Sequence, residues 1–314
     1  MSVHTLTTYD SETSFYPVAD AVPRVQVGHA LVHSCSFDEM LEAIVGSVYS
    51  GEPHYVVTPN AQHVVLLAED KHLRTTYADA AFVLPDGISL ILAGRFLGQN
   101  IQHRISGVDM FEALCRRAAR EGLRVFLLGG RPGSAEKAVE RLLAKSPGLI
   151  VSGICCPPMG FENDPEERSK VEAQIRAARP HLLFVALGAP KQEYWMYEHA
   201  RSVGVPIAMG VGGSFEMVGG IVSRAPGWVQ NMGIEWLYRL VREPRRLWRR
   251  YLIGNVQFGF IVLRQWLSLR GLSGNPFGNG PVVGAESFRP APRIRRRELR
   301  PLLKDERARE TTSV

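Results

Sequence analysis

The chain holds 314 residues, 45% hydrophobic and 22% charged, which is the balance of a globular protein with apolar material for a sizeable core. Its net charge of +6 conceals a division: residues 1–222 carry 19 basic and 24 acidic side chains, a net of −5, and residues 223–314 carry 18 and 7, a net of +11. Cys35, Cys115, Cys155 and Cys156 form no CxxC pair, which excludes a zinc finger or a disulfide framework and suits reduced thiols in the cytoplasm.

In chain order, residues 1–24 are polar without a sustained period and are expected to be a disordered arm. They show no basic stretch leading into an apolar core, so no signal peptide is expected. Ser36 and Glu39 form a capping-box pattern that predicts a helix over 37–49. Residues 54–58 are a short β-branched strand, 60–70 a helix, and 81–84 a buried strand that ends at Pro85-Asp86-Gly87. Ser106 with Asp109 caps a helix that runs to about 121. A strand over 124–128 leads into Gly129-Gly130 and a helix over 134–145. Asp164-Pro165 starts another helix, since proline suits the first helical position. A strand over 181–187 precedes Gly188-Ala189-Pro190 and a helix, and a strand over 206–211 precedes Gly212-Gly213. Strands alternating with helices of this length predict βαβ units, hence an α/β body over 25–222 with a Rossmann-like parallel sheet and flanking helices.

The C-terminal third has a different character. Trp228, Trp236, Trp248 and Trp266 are four of the five tryptophans, and six arginines fall between Arg239 and Arg250. This predicts a basic amphipathic helical appendage over 223–270. No apolar run reaches the ~18 residues of a spanning helix; the closest, 251–263, is interrupted by Asn255 and Gln257. Residues 271–284 are rich in Gly, Pro and Asn, and the tail 271–314, with its basic cluster at 293–297, is expected to be disordered.

In an open parallel sheet, ligands bind beyond the carboxyl ends of the strands. Thr58-Pro59-Asn60, Asp86-Gly87 and Gly188-Ala189-Pro190-Lys191-Gln192-Glu193 lie at such ends. The loop from Gly129 to Ser134 opens a helix whose N–H groups could cradle a phosphate. Each feature also has a plainer reading: glycine after a strand is often only a turn, and Asp-Gly is a common turn pair. His63, His103, His181 and His199 have no metal-ligand spacing and read as structural or surface residues. The Gly129 loop lacks G-x-G-x-x-G, which counts against an NAD-dependent oxidoreductase. The basic tail raises a nucleic-acid-binding alternative, but arginines beside tryptophans suit a membrane surface at least as well.

Taken together and in order, these segments resemble the bacterial WecG/TagA/CpsF glycosyltransferases, which include the N-acetylmannosamine transferases of wall teichoic acid synthesis. The resemblance rests on Thr58-Pro59-Asn60, Leu84-Pro85-Asp86-Gly87, Arg104-Ile105-Ser106-Gly107-Val108-Asp109 and Phe126-Leu127-Leu128-Gly129-Gly130. It continues through Leu187-Gly188-Ala189-Pro190-Lys191-Gln192-Glu193, Gly210-Val211-Gly212-Gly213-Ser214-Phe215, Arg224-Ala225-Pro226 and the stretch from Gly233 to Tyr251. It implies an inverting transferase that needs no metal or other cofactor. The implied donor is a UDP-sugar carrying N-acetylmannosamine, its uronic acid or glucose. The implied acceptor is a saccharide on undecaprenyl diphosphate, in cell-surface polysaccharide synthesis. The resemblance puts the base on Asp86 and other polar site residues on Thr58, Asn60, Arg104 and Gln192. It also implies that the appendage meets the anionic inner face of the membrane and helps to close the site. Inversion needs one base for the acceptor hydroxyl, and without a metal the departing UDP needs arginines and backbone N–H groups. Arg104 and the arginines after Trp236, Arg239 and Arg246 among them, are available for that charge. Gly129, Gly130, Gly212 and Gly213 are expected beside the nucleotide. No nucleic acid is expected as partner, and the sequence leaves self-association open.

Overall fold

The computed structural model describes residues 22–227, 229, 235–242, 244–274 and 276–277, with 15–16 and 294–295. Beyond residues 22 and 277, the expected arm and tail are described only as a two-residue antiparallel bridge, β1 (Phe15–Tyr16) against β10 (Ile294–Arg295). The other residues of both segments lie outside the described part.

A hairpin, β2 (Arg24–Val27) and β3 (Ala30–His33), precedes the body; it turns at Gly28, whose φ of +59° favours glycine. Helix α1 (Phe37–Ser47) starts at the expected capping box, with Ser36 and Glu39 each capping the other's backbone N–H. There follow β4 (His54–Val57), α2 (Ala61–Glu69), α3 (Lys71–Asp79), β5 (Phe82–Val83), α4 (Ile88–Phe96) and α5 (Gly107–Glu121). Next come β6 (Arg124–Gly129), α6 (Ser134–Lys145), β7 (Ile150–Cys155), α7 (Pro165–Ala178), β8 (Leu182–Ala186), α8 (Lys191–His199), β9 (Ile207–Gly210) and α9 (Ser214–Val218). The C-terminal third holds a short helix, Glu235–Arg242, and a long one, Pro244–Leu269.

Six strands form one all-parallel sheet in the order β5-β4-β9-β8-β6-β7. The chain winds outward from β4 to β5, crosses to β6 and β7, and returns inward through β8 and β9. The steps from β4 to β5 and from β8 to β9 run one way along the sheet and the step from β6 to β7 the other, so the winding reverses between β8 and β6. Alternation along β8 builds a core on each face. Leu182, Phe184 and Ala186 point into one with Phe111 and Phe215, and Leu183 and Val185 into the other with Trp195 and Leu67. Phe111 packs edge-on against Phe184, ring centroids 4.6 Å apart.

The expected α/β body with a parallel sheet is what the chain forms. Several elements escaped the sequence pattern, β7, α3 and α4 among them. Strand β7 contains Gly153 because the Phe126 ring occupies the space a side chain would need: a Cβ there would come within 2.4 Å of Phe126 Cε2. Helix α3 starts on Asp70, which accepts from the N–H groups of His72 and Leu73. Helix α4 is apolar around most of its girth and so lacks a clear period. One local expectation is corrected. Ser106 is the N-cap of α5 but makes no side-chain cap bond, and the Asp109 carboxylate is engaged instead by the fork of Arg224, at 2.5 and 2.8 Å.

The long C-terminal helix docks its Phe258 and Val262 into the second core beside Val64. Gln265 ties it to the hairpin, accepting from Gly28 N at 2.8 Å and donating to Gln26 O at 3.0 Å.

Candidate active site

Three loop segments are laced together at the carboxyl edge of the sheet. Leu84 N donates to Val57 O, Asp86 N to Pro59 O and Ile105 N to Pro85 O, all at 2.8–2.9 Å. The loops after β4 and β5 and the approach to α5 thus hold one another rigidly. Asp86 Oδ2 accepts from the N–H of Gly107, the first residue of α5, at 3.2 Å. The positive end of that helix favours negative charge there. Thr58 lies beside the same point: a Cβ on Gly107 would sit 3.4 Å from Thr58 Oγ1 and 3.5 Å from Asp86 Oδ2. Gly87 has φ +130° and ψ 141°, a conformation open to glycine alone. It directs the chain past Asn60, whose Cβ would be 3.6 Å from one on Gly87. Thr58, Asn60 and Asp86, all half-buried, are therefore brought together.

The glycine turns gather farther along the same edge, after β6 and β9. Gly130 N donates to Ala186 O at 2.9 Å, and a Cβ on Gly130 would strike Ser134 Oγ at 2.5 Å and the Phe215 ring at 2.9 Å. Phe215 belongs to α9, which opens after Gly212-Gly213. Arg131 N donates to Glu216 Oε1 at 3.2 Å, so the Gly129-Gly130 turn is tied to the start of α9. The buried Glu216 Oε2 and Ser134 Oγ have no hydrogen-bond partner among the described residues.

Gln192 joins the halves from below. It is 3% exposed, accepts from Gly212 N at 3.0 Å and donates to Glu193 Oε1 at 3.0 Å. Most of its hydrogen-bonding capacity therefore goes into holding the Gly212 turn. Arg104 stands at the rim, with its guanidinium 3.6 Å from Glu235 of the short C-terminal helix. The side chains of Arg239 and Arg246 lie outside the described residues. Three site residues drew no role from the sequence: Gly107, Glu216 and Glu193. Glu193 follows Gln192 in a strand-end cluster, but only its burial distinguishes it from an ordinary acid in a helix's first turn. His63, read as structural or surface, is buried against it.

A sequence model described as the Glycosyl transferase WecG/TagA/CpsF family matches residues 25–271. The chain belongs to this family of glycosyltransferases. It is 33% identical over 198 residues to a protein of Bacillus spizizenii, covering 63% of this chain and 74% of that one. It is 31% identical over 209 residues to a protein of Bacillus subtilis, covering 64% and 79%. Both relatives are named N-acetylglucosaminyldiphosphoundecaprenol N-acetyl-β-D-mannosaminyltransferase. As a WecG/TagA/CpsF glycosyltransferase the chain is an enzyme of sugar transfer, which sets the dehydrogenase and nucleic-acid alternatives aside. Among the described residues no helix is long and apolar enough to cross a membrane.

Proposed function

We propose that this glycosyltransferase moves a sugar from a UDP-sugar to a saccharide on polyprenyl diphosphate, at the anionic inner face of the cell membrane. The names of its relatives favour N-acetylmannosamine as the sugar and diphosphate-linked N-acetylglucosamine as the acceptor. The observation that carries the reading is the junction of Asp86, Thr58 and Asn60 on interlocked loops at the carboxyl edge of the parallel sheet.

In this reading Asp86 takes the proton from the acceptor hydroxyl as that oxygen attacks the anomeric carbon from the face opposite the diphosphate. The carbon–oxygen bond to UDP breaks, configuration inverts, and UDP leaves with the bonding electrons. Arg104 and the appendage arginines, Arg239 and Arg246 among them, balance the charge gathering on the diphosphate. Asn60 and Thr58 supply hydrogen bonds to sugar hydroxyls. The turns at Gly129-Gly130 and Gly212-Gly213 suit close approach of the nucleotide, and Glu216 and Ser134 offer polar atoms there.

The test is a donor screen with the full chain, a short-chain lipid diphosphate bearing N-acetylglucosamine, and UDP-activated N-acetylmannosamine, its uronic acid and glucose. Chromatography of the lipid product should show transfer from one donor well above the others. Absence of transfer from all of them, with no measurable binding of UDP by calorimetry, would sink the reading.

A further inference from the structure

Beneath Asn60 and Gln192 lies a buried polar cluster that the proposed chemistry leaves without a role. Glu193 is 0% exposed, and its Oε1 accepts from Gln192 Nε2 at 3.0 Å and stands 3.7 Å from His63 Nε2. Its Oε2 has no hydrogen-bond partner among the described residues. His63 turns its other nitrogen toward Asn60, with Nδ1 3.3 Å from Asn60 N and 3.0 Å from Asn60 Oδ1. The Tyr77 hydroxyl, buried with its ring centroid 6.5 Å from that of His63, stays protonated: burial and the Glu193 charge both raise its pKa. Burying a carboxylate this completely is costly, and an apolar side chain of like volume would pack as well or better. The arrangement therefore points to a use for the charge.

We propose that Glu193 and His63 form a buried positioning pair, which orients the carboxamides of Asn60 and Gln192 for sugar transfer without touching substrate. The proposal rests on the reading of Asn60 and Gln192 as substrate-facing. Both partners occupy the third position of a helix, His63 in α2 and Glu193 in α8. These helices follow β4 and β8, which flank β9 in the sheet. One carboxylate can thus govern two loops. In either protonation state of His63 the geometry works. A neutral ring accepts from Asn60 N–H at Nδ1 and directs Nε2–H toward Glu193. A protonated ring donates from Nδ1 to Asn60 Oδ1 instead. Asn60 Oδ1 already accepts from Gln62 N at 3.0 Å, so its Nδ2 hydrogens are the end left for a ligand. Gln192 is bound at Oε1 by Gly212 and at one Nε2 hydrogen by Glu193, which leaves its second Nε2 hydrogen. Catalytic groups must be held within a few tenths of an ångström, and a 1 Å misplacement can cost about 100-fold in rate.

The test uses the full chain and the variants Glu193→Gln, His63→Ala and the pair combined. Each single variant should lose about 10-fold or more in kcat, with the Kd for UDP and the Tm little changed. The double variant should fall less than about threefold below the weaker single, because both act through one chain of contacts. His63→Gln, which can still bridge, should recover part of the loss. A ligand-free measurement stands beside these: nitrogen NMR of the His63 ring and the Asn60 side-chain amide, both of which should shift in Glu193→Gln. Single variants within twofold of wild-type kcat, losses that multiply in the double, or unmoved His63 and Asn60 signals would each overturn the pair. Should Glu193→Gln fail to fold, His63→Ala and the Asn60 signal carry the test. If no donor turns over, the proposed function fails, while the NMR shifts still decide whether the pair is coupled.

Discussion

Asp86 meets the first backbone N–H of α5 with one carboxylate oxygen, and its own N–H is held by Pro59. An asparagine there can keep both bonds, because its carbonyl oxygen still accepts from Gly107. It cannot take a proton. Asp86→Asn should therefore leave the Tm and UDP affinity unchanged and lower kcat by about 10²–10⁴-fold, the usual contribution of a positioned base. Initial rates set against calorimetric UDP titration check this, and turnover within about tenfold of wild type would remove Asp86 from the base role. At this scale much of the site was legible in the sequence. Thr58, Asn60 and Asp86 each follow a readable strand, and polar residues just past parallel strands are where ligands are expected. Glu193 was not legible in the same way. Its local pattern is that of a helix's first turn, where acids are common at the surface. Only the tertiary packing of α8 against α3 and the sheet makes it buried.

Between elements, two ion pairs join the C-terminal third to the α5 end of the site: Arg104 with Glu235, and Arg224 with Asp109. Burial acts to raise the Asp109 pKa, but the hydrogen bonds and charge of Arg224, with Arg104 nearby, outweigh it and hold the carboxyl below its ordinary value. Arg224 is shifted upward in turn, first by its hydrogen bond to Asp109. A carboxyl lowered in the folded state adds stability above its unfolded pKa, about 4, and loses it as pH falls through the lowered folded value. The pair is partly exposed, so its worth is about 1 kcal/mol, or roughly 2–4 °C in Tm for a chain of this size. Asp109→Asn should melt that much lower at pH 7, and the gap should close as pH falls below about 4. Scanning calorimetry across that range decides it, and a gap independent of pH would rule the pair out as the cause. The sequence placed Asp109 in a capping box because Ser106 stands three residues before it. Arg224, 115 residues further on, offered a charged fork at the same position. A bidentate pair prevailed over a local cap, a choice that spacing alone cannot display.

Along the chain, the excess of basic charge and a stripe of exposed apolar side chains both fall in the C-terminal third. Residues 223–314 carry +11 against −5 for the rest; in the proposed function that charge draws the C-terminal third toward an anionic leaflet. The long helix buries Phe258 and Val262 against the body and leaves Leu252, Ile253, Val256, Phe260 and Leu263 exposed. An apolar groove of about 340 Å³ runs between this helix and α2, lined by Val65, Ala68, Val256 and Phe260 among others. Gly254 packs against Gln62, two residues past Asn60; a Cβ there would lie 2.7 Å from Gln62 Oε1. The exposed apolar stripe therefore begins beside the candidate site. In the proposed function this geometry lets a lipid-borne acceptor reach Asp86 without leaving the surface that holds its tail. Charge and apolar contact should both be needed, since each basic residue near the leaflet contributes only about 1 kcal/mol. Full-length protein should co-sediment with vesicles containing phosphatidylglycerol, release as salt rises, and bind neutral vesicles weakly. Phe260→Glu combined with Leu252→Glu, both on the exposed face, should keep the Tm and the turnover of a water-soluble acceptor. The same variant should lose vesicle binding and at least tenfold of the rate on a vesicle-embedded acceptor. If it binds vesicles as wild type does, the stripe is not the contact surface, and the site must receive its acceptor from another direction.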